Sequence, residues 1–208
     1  MSTEQPNAIS APSAGRGPLI GIGLLGLLVA VGLWFMSVNN RLVGLQENVK
    51  TAWSQVETVL QRRFDLIPNL VNTVKGYAEH ESGVLEEVTR LRSQWGAAKT
   101  VAEKTETASA LEGTLSRLLL VTENYPQLKA DQNFRDLQVE LEGTENRVAV
   151  ERQRYNEIVR DYNTAVRQFP GSIVASLRGF KTDFAYFEAA KESQQAPKVD
   201  FSKPAASN

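Results

Sequence analysis

"RRFDLIP", residues 62–68, decides how many helices the first part of this chain contains. Apolar residues run through it at helical spacing, as Leu60, Phe64, Ile67 and Val71. Two readings compete. In one, Asp65 caps a new helix through its side-chain oxygen, and Pro68 occupies the first turn, where no intrahelical donor is needed. In the other, one helix continues through Pro68 and is kinked there. Proline costs ~3 kcal/mol in a helix interior and a helical bundle requires turns, so a corner at 62–68 is the preferred expectation.

The flanking pattern is helical in both directions. Leu42, Leu45, Val49, Ala52, Val56 and Val59 alternate steps of three and four, the seam of a helix packed along its length against others. A second run holds Ile67, Val71, Val74, Ala78, Leu85, Val88 and Trp95, and a third Ala108, Leu111, Leu115 and Leu118. The fourth is Phe134, Leu137, Leu141, Thr144, Val148, Tyr155, Ile158, Tyr162, Ala165 and Phe169, broken only by Glu151. Tyr155, Tyr162 and Phe169 recur every seven residues, and an aromatic stripe at that spacing is read as core. No stretch alternates with period two, so strands are not expected. "GAAKT" (96–100), "TENYPQL" (122–128) and "FPGS" (169–172) punctuate the runs. The fold class expected is all-α: an N-terminal transmembrane helix followed by an elongated antiparallel four-helix bundle. Its fourth helix, roughly residues 127–169, would be ~65 Å long.

The membrane span is residues 19–38, "LIGIGLLGLLVAVGLWFMSV", without a charge. As a helix it covers ~30 Å, the hydrocarbon thickness of a bilayer. A cleavable signal peptide is the rival, but its apolar region is ~7–15 residues and an Ala-x-Ala site should follow. Within the span Gly21, Gly23 and Gly26 spell G-x-G-x-x-G. The match is accidental, since the strand, polar helix and acidic residue of a dinucleotide site are all missing. Gly26 and Ala30 offer at most a small-residue contact face. Arg41 and Lys50, with Arg62 and Arg63 further out, on one flank against Arg16 and the amino terminus on the other lean slightly towards a cytoplasmic C-terminal domain. The organisation expected is a disordered leader (1–17), the span (18–38), the bundle (39–189) and a disordered tail (190–208).

Composition narrows the chemistry. The chain has 208 residues, no cysteine, one histidine and a net charge of −1, which removes disulfides, thiolate metal sites and multi-histidine metal sites within one chain. Near-zero charge offers no footprint for nucleic acid. The lone His80 lies between Glu79 and Glu81, and a hydrolase or metal-dependent enzyme centred there is the alternative reading. Helical spacing argues against it, because positions three and four away from His80 are Gly76, Tyr77, Gly83 and Val84. No catalytic, cofactor-binding or metal residues are therefore assigned.

"AWSQVE", "RRFDLIPNLVNTVKGYAEHE", "ENYPQLKADQNFRDLQVELEGTENRVAVERQRYN", "YNTAVRQFP" and "FEA" together resemble the LemA family of bacterial membrane proteins, over roughly residues 39–189. The resemblance implies a membrane-anchored antiparallel helical bundle without an established enzymatic activity. The family also includes magnetosome proteins, which implies membrane-organising or scaffold roles in the bacterial inner membrane. The Pro- and Ser-rich leader departs from the many relatives that begin close to the span. Core packing alone does not account for Arg62, Arg63, Asp65, Pro68, Asn69, Lys75, Tyr77, His80 and Glu81, nor for Glu123, Asn124, Tyr125 and Pro126. These corner residues are expected to be caps and buried networks, or else a docking surface. Expected partners are membrane lipid around residues 19–38 and a second copy or another membrane protein.

Overall fold

The structure, a computed structural model, describes residues 16–78 and 82–188. Among them all regular structure is helical: α1 (Arg16–Lys75), α2 (Ser82–Ala97), α3 (Val101–Thr122), α4 (Pro126–Ala130), α5 (Gln132–Arg167) and α6 (Gly171–Arg178). Arg16 and Gly17, expected in a disordered leader, already belong to α1. The rest of the leader and the tail from 189 on lie outside the described residues.

α1 holds 60 residues and is ~90 Å long. It is the one helix among the described residues that is long and apolar enough to cross a membrane by length and composition. Ile22, Leu24, Leu25, Leu27, Leu28 and Met36 stand exposed around it. From Leu42 onward the same helix buries Val49, Val56, Leu60, Phe64, Ile67, Leu70 and Val74.

The expected corner at 62–68 is therefore corrected. α1 runs through Pro68, and Asp65 lies mid-helix, accepting a hydrogen bond from Gln61 Nε2 at 2.8 Å rather than capping. Magnitudes explain the outcome. Burying each of Phe64, Ile67, Leu70 and Val74 contributes ~1.5–3 kcal/mol, and together they outweigh the ~3 kcal/mol proline penalty. The turn comes later, at Gly76 and Tyr77, where the amides of Tyr77 and Ala78 both reach the Val74 carbonyl (3.0 and 2.9 Å). Pro68→Ala is accordingly expected to stabilise the protein by ~1 kcal/mol: helix propensity gained, minus half-buried ring surface and chain stiffness lost. Melting of the full-length chain in detergent checks this; a fall in melting temperature would mean that Pro68 acts as a helix start.

Thr100 caps α3 with a reciprocal box, its hydroxyl accepting from Glu103 N while the Glu103 carboxylate accepts from Thr100 N. The expected helix 127–169 is divided at Asp131, whose extended backbone (φ −67°, ψ 129°) ends α4 and whose side chain caps α5 at Phe134 N. α1 and α5 share the longest contact. Trp53 meets Tyr155, Arg62 meets Glu140 and Tyr77 meets Asp131, so partner numbers on α5 fall as those on α1 rise. α2 closes on α1 through Trp95, which stacks on Phe64 at 4.5 Å and donates to Gln61 Oε1 at 2.8 Å.

The expected aromatic stripe is half right. Tyr155 and Tyr162 are buried, but Phe169 is 77 % exposed. α5 ends at Arg167, so the seven-residue register no longer applies two positions later. At Gly171 an added Cβ would overlap the carbonyl oxygen of Ala165, which leaves only glycine fitting where α6 turns back against α5 and Leu42. α6 closes on Gly179 in the left-handed region (φ 70°). An extended segment, residues 180–188, then runs back along α5.

Candidate functional site

Three polar arrangements stand out along the helical body. The first is a charge cluster at mid-height. Arg63 is buried beside the Glu145 carboxylate, and Arg152 meets Glu112 at 3.3 Å. Burial is the main force lowering the proton affinity of Arg63; Glu112 opposes it and Arg152 adds to it. Arg63, Glu112, Leu115, Gln138, Leu141 and Glu145 line a cavity of about 220 Å³. Nε of Arg63, Nε of Arg152 and Oε2 of Glu151 are buried without a hydrogen-bond partner among the described residues. Arg63 and Arg152 each pair with one carboxylate, Glu145 and Glu112, while one oxygen of Glu151 stays buried without a partner among the described residues. The arrangement is suited to holding α1, α3 and α5 in one register. Lys104 pairs with Glu57 in the same manner and lies 5.0 Å from the Trp95 ring centre.

The second is the end of the body farthest along α1. Tyr77 donates its hydroxyl to Asp131 Oδ2 at 3.0 Å. The Phe134 amide, more than the Tyr77 hydroxyl, holds the Asp131 carboxyl below its usual range, and the bond to Asp131 raises the Tyr77 phenol. The chain from α3 to α4 turns at the same end, where the amides of Glu123, Asn124 and Tyr125 donate hydrogen bonds to the carbonyls of Leu120, Val121 and Thr122.

The third is the hold of α5 on segment 180–188. Asn163 donates from Nδ2 to the Phe184 carbonyl and accepts from the Phe184 amide, both at 2.9 Å. Asn156 does the same to Phe187, at 3.0 and 2.8 Å. Tyr162 and Tyr155 donate their hydroxyls to the carbonyls of Lys181 (2.7 Å) and Ala185 (3.1 Å). Phe184 packs edge-on against Tyr162 at 4.9 Å, while Phe187 lies against Trp53 at 6.4 Å and beneath Arg152.

The residues singled out from the sequence are thus dispersed. Arg63 is a buried network residue, and Arg62 makes a surface pair with Glu140 at 3.1 Å. Asp65, Asn69 and Lys75 are exposed on α1, and Pro68 is half-buried. Tyr77, Glu123, Asn124 and Tyr125 share the far end, where Tyr125 packs partly against the core. Glu79, His80 and Glu81 lie outside the described residues. Sequence reasoning passed over Glu57, Lys104, Glu112 and Glu145, and also the two clasping asparagines; Arg152, which the alternating charges of its helix assign to a solvated outer face, instead lies part-buried against Glu112. A signal for the asparagines exists: the dipeptide Tyr-Asn occurs at 155–156 and again at 162–163.

A model of the LemA family matches residues 52–201. The chain is 25% identical over 197 residues to magnetosome protein MamQ of Magnetospirillum gryphiswaldense, covering 80% of this chain and 72% of that one. It is 23% identical over 158 residues to Protein LemA of Metamycoplasma hominis, covering 73% and 71%. MamQ 2 of Paramagnetospirillum magneticum is again 25% identical over 197 residues. With the family pattern spanning most of its length and the helical body built on the same residues, this chain belongs to the LemA family.

Proposed function

We propose that the protein is a single-pass, membrane-anchored scaffold or adaptor of the bacterial inner membrane, with an antiparallel four-helix body and no catalytic role. The observation that carries this reading is the continuity of α1. One helix exposes an apolar sleeve over residues 21–36 and then, without a break, becomes a core helix of the packed body from Leu42. An apolar sleeve in water would expose far more contiguous hydrophobic surface than soluble proteins tolerate, and a bilayer removes that cost. Partner numbers that fall along α5 as they rise along α1 support the antiparallel arrangement. Relatives that include magnetosome proteins support association with a membrane.

Arg41 and Lys50 beyond the sleeve favour the cytoplasmic side for the body. The cluster at Arg63 and the contacts at Tyr77 are structural on this reading, and the long outer faces serve assembly with a second copy or another membrane protein. Extraction of native membranes with alkaline carbonate is the direct test. The protein is expected to stay in the pellet; its appearance in the supernatant would remove the anchor and with it the scaffold reading.

A further inference from the structure

The hold on segment 180–188 is of a general kind. A carboxamide offers one acceptor and donors in a single plane, so an asparagine can satisfy the amide and carbonyl of one extended residue as a neighbouring strand would. Asn156 and Asn163 are seven residues apart on a helix, ~10.5 Å, while their partners Phe187 and Phe184 are three apart in an extended chain, ~10 Å. The two spacings agree, so both amides engage with the same geometry. Backbone bonds fix the strand's course, and the two rings, against Tyr162 and Trp53, add a preference for phenylalanine three residues apart. Within one chain, α5 and Trp53 thus hold an extended segment as a groove would hold a peptide.

We propose that this groove also takes segment 180–188 of a second copy, so that copies in one membrane join by exchanging the strap. The proposal rests on the anchored reading above. Anchoring by α1 places the groove of every copy at the same height, with Trp53 ~25 Å beyond Met36 along the helix. A neighbour's strap therefore meets the groove in the same orientation. The strap joins the body through Gly179, whose positive φ marks the joint, and among its residues Phe187 alone is fully buried. Residues 181–187 lie in the groove, so the crossing between copies falls to Gly179 and Phe180 and requires two bodies side by side. The contacts in exchange are those already made within one chain, so little free energy separates the two arrangements, and crowding in the bilayer favours the joined form.

The absence of cysteine makes the test clean. Arg167 and Asp183 face each other across helix and strap at 2.8 Å, and both are exposed. Two differently tagged full-length chains, one Arg167→Cys and the other Asp183→Cys, are co-expressed, and native membranes are treated with a short thiol crosslinker. A band joining the two tags is expected. Adding Asn156→Ala and Asn163→Ala to the Arg167→Cys chain should weaken that band ~10-fold or more. Phe184→Ala with Phe187→Ala on the Asp183→Cys chain should weaken it equally, and leaves the groove-bearing copy unaltered. Exchange is overturned if the doubly substituted Arg167→Cys/Asp183→Cys chain crosslinks within itself while the two tags never join. It is overturned as well if the joined band is indifferent to both sets of substitutions. Carbonate extraction of the same membranes distinguishes failure of exchange from failure of the anchor.

Discussion

Tyr162→Ala is expected to lower stability by ~3–5 kcal/mol, the range for deleting a buried aromatic side chain. Tyr162 is fully buried on α5, and its ring and hydroxyl both engage the strap. Truncation thus opens a cavity in the core and removes one wall of the Phe184 contact. At ~2–4 °C per kcal/mol for a protein of this size, the melting temperature should fall by ~6–20 °C. Tyr162→Phe keeps the ring and loses one hydrogen bond, for which ~1 kcal/mol is expected. Circular dichroism melting of the full-length chain in detergent measures both. A shift of only a degree or two for the alanine variant would show that the Tyr155–Tyr162 stripe does not hold the body together.

The second large effect concerns the pair of Arg63 and Glu145. Arg63 has little access to water, whereas the Glu145 side chain is 34% exposed. Glu145→Ala strands a buried guanidinium, and removal of one partner from a buried pair costs ~3–5 kcal/mol. The nearby Glu112 places this case at the lower end, ~3 kcal/mol. Replacing both partners, Arg63→Met with Glu145→Leu, should restore stability to within ~1 kcal/mol of the parent, because no charge is then left unpaired. Denaturant midpoints of the parent, Arg63→Met, Glu145→Leu and the double variant form the cycle, with Glu145→Ala measured beside them. If the double variant is as unstable as Glu145→Ala, the pair contributes more than compensation for its own burial.

The core of this protein is readable in its sequence because helix periodicity is local. Leu111, Leu115 and Leu118 on α3, and Leu141, Val148 and Tyr155 on α5, are buried where three–four spacing puts them. The misplaced corner has a different origin. Proline propensity is also local, but its cost is set against burial of Phe64, Ile67 and Leu70 by helices that arrive much later in the chain. Arg63 and Glu145 are separated by 82 positions (145 − 63), and no pattern of charge along either helix declares the pairing. The strap is hidden for the same reason: residues 180–188 have no periodicity, and their order comes from side chains of α5, with Trp53 of α1 against Phe187. Only the repeated Tyr-Asn hints at it.

The uninterrupted course of α1 has a mechanical consequence. From Asn39 to Lys75 it extends ~55 Å beyond the apolar sleeve, with no joint between the two parts. Membrane helices tilt by ~20° on average, and a stiff lever of that length tilted so carries its far end sideways by ~20 Å. In the proposed anchored arrangement, whatever changes the inclination of the sleeve, such as local bilayer thickness or a neighbouring helix, is converted into a lateral sweep of the Tyr77–Asp131 end across the membrane plane. The axial rotation of the sleeve is likewise delivered undiminished to the groove face of α5.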